Sequence, residues 1–287
     1  MNTHIPTLLL REWMQHKRGW LIAAFAPPLL FLAMLPFGLE GVPTERPEQT
    51  ALVVLALSAC VIYVICLLVA LFQLPGLARR DTQDRSIEFW LSLPGRPSES
   101  VAATVLAHAW LAPVGGAVIG ALFGLPIAVG VLASKMGVPA ALGLNWGAII
   151  GEALPLLLRG LAGSALLTLW LMPIIFVLMA ASAWLKRLGV PVVLVGGAVA
   201  VTVLYKAYDI DWPLQLLADH NRYLNHTLVY SGHQLLGAVQ SGANLWTWAL
   251  QDLGQAVAEL VSVPFAGWAA VAAAGFALVV MKRARGG

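Results

Sequence analysis

His220, His226 and His233 share one polar stretch with Asp219, and imidazole with carboxylate is a donor set that zinc or copper accepts. Their spacing is loose. No two of them fall four apart, so one helix would not aim two of these rings at the same ion. They read as solvated polar groups. His108 is the only ionisable residue well inside an apolar run, about two helical turns from its start. A proton relay through this one imidazole is the active reading; the plainer reading, adopted here, is a hydrogen-bonded packing residue. Cys60 and Cys66 lie inside a single apolar run and read as small apolar fillers, not as a disulfide or a metal pair. No G-x-x-x-x-G-K-[ST], H-E-x-x-H or C-x-x-C motif occurs. The chain is therefore expected to carry no catalytic residue, no metal and no nucleotide of its own.

The elements that would hold these groups follow from composition. Of 287 residues, 60% are hydrophobic and 11% charged, against roughly 25% charged in soluble domains. Several stretches reach the ~20 uncharged residues that cross a ~30 Å hydrocarbon layer. An all-α integral membrane protein is the expected class. The net charge of +3 does not indicate a nucleic-acid partner, because the basic residues sit in short runs beside apolar segments. Ala24-Phe25-Ala26 has the small-x-small form of a signal cleavage site, but the apolar run continues past it, so an uncleaved first span is expected.

Residues 1–18 form a candidate interfacial elbow helix, with Ile5, Leu9, Leu10, Trp13 and Met14 on one side and Arg11, Gln15 and Arg18 on the other. The remainder, 19–287, is a transmembrane domain with six spans expected at 19–39, 51–74, 101–133, 160–185, 189–205 and 261–281. Pro27-Pro28 and Pro173 are candidate kinks. The run 101–133 is too long for one upright crossing, and is either one long helix or two short spans broken near Pro113-Val114-Gly115-Gly116. The segment 134–159 is expected outside the span, with a short helix over 147–158, because Glu152, Pro155 and Arg159 oppose a crossing there. A longer extracytoplasmic insert occupies 209–259. Gly116, Gly120 and Gly124 form a small-xxx-small face that suits close packing, within the chain or between two copies.

Charge sets the orientation. With both termini in the cytoplasm, twelve of the seventeen Lys and Arg residues fall inside and five outside. Splitting the run 101–133 would turn Lys186, Arg187, Lys282, Arg283 and Arg285 outward, so six spans is the consistent number.

The cytoplasmic loop 79–100 is the most polar part of the chain. Asp81 or Asp84 is placed to cap a short helix, Ile87, Trp90 and Leu91 then share one face, and Pro94-Gly95 ends it. An aromatic face in an inner loop marks either a partner site or a headgroup anchor. The run Asp84-Arg85-Ser86-Ile87-Glu88-Phe89-Trp90-Leu91-Ser92-Leu93-Pro94 resembles the coupling helix of type-2 ATP-binding-cassette (ABC) permeases, the mostly exporting class. Arg11-Glu12-Trp13 through Lys17-Arg18-Gly19 resembles the elbow helix of the same family. Ser86-Ile87 departs from the Gly-Thr often found there, and Glu99-Ser100-Val101-Ala102-Ala103 matches the importer motif poorly.

The resemblance implies a permease subunit in a bacterial inner membrane that exports its substrate. A separate ABC ATPase subunit would bind ATP and Mg and grip Asp84 through Leu91. It also implies a second permease copy or a homologous permease, and a candidate translocation route past Pro27, Pro28, Gly196 and Gly197. Charge-free spans suit an apolar or amphipathic cargo. A secondary transporter or channel working without an ATPase is the alternative, and it would need membrane-buried charges. A membrane enzyme built on His108 or the outer histidines ranks third.

Overall fold

The computed structural model describes residues 5–37, 45–79 and 96–285. Ten α-helices of five residues or more lie among the described residues, with no strand among them. We number them α1 (Ile5–Met34), α2 (Pro47–Leu77), α3 (Pro97–Met136), α4 (Val138–Leu142), α5 (Trp146–Leu185), α6 (Gly197–Tyr208), α7 (Trp212–Leu228), α8 (Gly232–Ser241), α9 (Leu245–Ala258) and α10 (Val263–Ala284). Five helical stretches among the described residues are long and apolar enough to cross a membrane. The chain is a multi-pass, all-helical membrane protein.

The first stretch runs from Ile5 through Pro27 and Pro28 to Met34 without a break, so one helix covers both the expected elbow and the first span. α3 is likewise one helical stretch, with no break at Pro113-Val114-Gly115-Gly116 and a single wide π turn over Leu106–Leu111.

The segment 134–159 differs from its expectation. Instead of a separate short helix over 147–158, α5 starts at Trp146, capped by the Asn145 side chain, and continues through Pro155 and Pro173 to Leu185. At 1.5 Å per residue its 40 residues span about 60 Å, twice the hydrocarbon thickness and more than one upright crossing needs. A proline and a charged residue oppose a membrane core; they do not oppose a helix that leaves it and packs against other protein.

At Lys186 the chain takes φ 57° and reverses. Gly189 then lies against the backbone of Ala181 and Ser182, an approach that leaves no room for a Cβ. The arm that follows, through the π segment Val192–Gly196 and α6, contains no buried residue.

The core lies between α2, α3 and α5. Gly116, Gly120 and Gly124 pack within the chain: a Cβ on Gly120 would stand 2.7 Å from the Ser58 carbonyl oxygen and 2.9 Å from the Ala59 Cα. The Ser58 hydroxyl donates to the Gly120 carbonyl at 2.8 Å across the same seam. Cys66 fills the space beside Gly116 and carries a free thiol, as does Cys60.

One end of the bundle closes on Leu74, Val101, Val105, Met179, Ala180 and Val279. Beside it the Trp184 indole N–H donates to the Leu278 carbonyl at 3.2 Å, and Lys282 and Arg285 lie over the Trp184 ring. The basic residues around Lys186 and the end of α10 therefore share one end with the feet of α2 and α3. The opposite end closes on Leu52, Leu132, Ile149, Ala153 and Leu245, where α9 of the insert packs against the N-terminal half of α5.

Candidate functional site

Among the described residues, a buried polar cluster lies where α1 crosses the base of α3. Glu12 is fully buried. On α3, Ser100, Thr104 and His108 recur every fourth residue and so form one stripe. Arg11 donates to Glu12 Oε1 at 2.6 Å and to the Ser100 hydroxyl at 3.4 Å. The Thr104 hydroxyl reaches the same Oε1 at 3.0 Å. The other carboxylate oxygen, Oε2, faces two imidazoles: His108 Nε2 at 3.4 Å and His16 Nδ1 at 3.6 Å. Trp20 walls the site, its ring 4.9 Å from that of His108 and 5.9 Å from that of His16.

Local structure explains the convergence. Glu12 and His16 are one helical turn apart and share a face of α1. His108 sits in the π turn of α3, and such turns are frequent where a helix presents functional side chains. Arg11 and Glu12 of the expected elbow thus face inward to α3, while Trp13 is exposed. Position 79 at the end of α2 and Arg96 at the start of α3 bracket the loop, and Leu74 packs with Val101 where those helices meet. Asp84, Arg85, Ser86, Ile87, Glu88, Phe89, Trp90 and Leu91 lie outside the described residues.

A second polar centre pins the insert to α5 at the opposite end. The Arg159 guanidinium donates to Asp252 Oδ2 at 2.8 Å and to the Thr227 carbonyl at 2.8 Å, and both charged side chains are buried. Asp252 also accepts the backbone N–H groups of Tyr230 and Ser231, at 3.0 and 3.1 Å. Arg159 reads in the sequence as opposing a crossing; in the fold it is the post to which α7 and α9 are tied.

The outer histidines do not converge. His220 is buried between Trp170 and Trp268, and that burial lowers the pKa of its imidazole. His226 pairs with Glu259 at 2.8 Å. Among the described residues, the His, Cys, Asp and Glu side chains that gather their ligand atoms within 4.8 Å in a group of three are Glu12, His16 and His108. In the sequence His108 stands alone, and Glu12 appears only within Arg11-Glu12-Trp13 of the expected elbow. The signal that joined them was the fourfold spacing of Glu12 with His16 and of Ser100, Thr104 and His108.

Of the route residues, Pro28 is buried and Pro27 half-buried in α1. Gly196 and Gly197 face open space, with nothing within 4 Å of where a Cβ would stand. An apolar cavity of about 560 Å³ lies between α2, α3 and α5, lined by Leu55, Tyr63, Leu122, Leu157, Arg159 and Trp248.

No protein-family model, curated protein or solved structure matches the chain.

Proposed function

We propose that this chain is the membrane-spanning permease subunit of an ATP-driven exporter of the type-2 ABC class, working with a separate ATPase subunit in a bacterial inner membrane. The observation that carries the reading is the Glu12 clamp. It ties the N-terminal helix to the foot of α3, the helix onto which the loop resembling a coupling helix leads. A push on that loop would reach α1 and α3 together, because buried charge-assisted hydrogen bonds join them. Collection of Lys186, Lys282 and Arg285 near that same end of the bundle supports a cytoplasmic assignment for it.

In this reading the Lys186 reversal separates two crossings, which makes six spans with both termini inside, and α7–α9 lie outside. The uncovered arm through α6 is the surface for a second permease copy. The apolar cavity suits an apolar or amphipathic cargo.

The test is reconstitution with the ATPase that co-purifies from the native host. Glu88→Lys and Trp90→Ala should each abolish substrate-stimulated ATP hydrolysis while the chain still reaches the membrane. Normal coupling in both variants, or transport by the purified chain with no ATPase, would overturn the assignment.

A further inference from the structure

We infer that Glu12, His16 and His108 form a binding site for a first-row divalent cation of the zinc type, which staples α1 to α3. The site does not depend on the chain's working with an ATPase. A tetrahedral ion with bonds of ~2.0–2.1 Å to imidazole and carboxylate separates neighbouring ligand atoms by about 3.3 Å. The edge from Glu12 Oε2 to His108 Nε2 measures 3.4 Å, and His16 Nδ1 stands 3.6 Å from Oε2 and 3.1 Å from the Glu12 carbonyl, a hydrogen bond it gives up on binding the ion. All three ligand atoms lie within 4.8 Å of one another.

His108 supplies the independent observation. It is 0% exposed, and neither ring nitrogen has a hydrogen-bond partner. A buried polar group left so is costly and calls for an unseen water or ion. An ion at Nε2 removes that cost. Glu12 is oriented for the task, because Arg11 and Thr104 both hold Oε1 and turn Oε2 toward the imidazoles. Outer contacts of this kind orient ligating carboxylates in known metal sites.

Two imidazoles and one carboxylate form a three-ligand zinc set that leaves a fourth position for water. Imidazole also admits cobalt, nickel and copper, while magnesium and calcium prefer all-oxygen shells. Histidine must be neutral to ligate, so binding weakens as pH falls.

The experiment uses the purified full-length chain in detergent, stripped with chelator. Zn²⁺ is titrated against a competing dye, and Co²⁺ binding is followed by its visible absorption. The native chain should bind one equivalent, and Co²⁺ should show the intense bands of four-coordination. His108→Phe and His16→Gln should each weaken binding by roughly 100-fold or more, since even outer-shell changes cost 10–100-fold. His16 is partly exposed, so His16→Gln leaves the helix packing in place if His108→Phe disturbs it. His233→Ala should retain the full equivalent. Absence of stoichiometric binding by the native chain, or one equivalent that survives both ligand substitutions, overturns the site.

Discussion

Removing Asp252 should release the insert from α5, and the structure sets both the size and the asymmetry of the effect. Asp252 is 1% exposed and receives Arg159 at 2.8 Å together with the Tyr230 and Ser231 amides. Breaking a buried ion pair from one side costs about 3–5 kcal/mol, because the surviving charge is left uncompensated. In Asp252→Leu the orphan is a guanidinium, and two backbone amides lose their acceptor as well. In Arg159→Leu the orphan is a carboxylate that keeps those two amides, and hydrogen bonds from N–H groups stabilise the charged form. Asp252→Leu should therefore stand at the upper end, near 5 kcal/mol, and Arg159→Leu near 3. The double variant should cost less than the sum by a coupling of about 2 kcal/mol or more.

Opening of α7–α9 is read by limited proteolysis around Val229 to Ser231, where α7 gives way to α8. When opening is fast relative to cleavage, the cleavage rate follows the open population. A cost of about 3 kcal/mol then raises it roughly 100-fold, at 1.4 kcal/mol per tenfold. Equal rates in the two single variants, or less than a tenfold rise in Asp252→Leu, would refute the view that this pair pins the insert.

Four further outcomes follow from local structure. Gly120→Ala should destabilise the α2–α3 seam by about 1–3 kcal/mol in equilibrium unfolding, because its Cβ would meet backbone atoms of Ser58 and Ala59 that cannot swing aside. Gly115→Ala, with open space at its Cβ, should be neutral or slightly stabilising in the same assay. Lys186→Gly should stabilise by about 1 kcal/mol, since φ 57° with ψ −127° suits glycine and strains lysine. Burial lowers the folded-state pKa of His220, so the unfolded chain takes up the proton first as pH falls through 6.5. Stability present above that pH should fall below it, by at most about 1.4 kcal/mol per unit, and His220→Phe should remove this component of a pH-resolved unfolding curve.

What the sequence made legible was the class and the coarse placement of helices, because apolar length against a fixed bilayer thickness is a strong constraint. The unbroken α3 was readable from charge parity alone. The close α2–α3 approach was announced by Gly116, Gly120 and Gly124, although spacing could not say whether the partner helix lay in the same chain. Arg159 reads as a charge that opposes a crossing, and nothing near it in the sequence marks it as an anchor. Its partner is 93 residues away, and long-range pairing leaves no local trace. Glu12 is not singled out by the pattern of α1, because the groups it meets lie far along the chain. Its burial is dictated by the Ser100–Thr104–His108 stripe on another helix.

The two polar centres bear on how such a chain could move. Each joins elements far apart in sequence, and each sits at one end of the bundle: the Glu12 cluster binds α1 to α3, and the Arg159–Asp252 pair binds the insert to α5. Between them, α2 and α3 touch through glycines with backbone against backbone, a contact too close for independent sliding. These joints make α1, α2 and α3 a coherent unit. By contrast, the arm from Gly189 to Tyr208 is tethered closely at Gly189 and buries nothing through α6. A conformational change is cheapest where the fewest packed contacts must be exchanged. The arm is therefore where this fold would rearrange first. Fixing the far end of α6 to a neighbouring helix by a disulfide would arrest it.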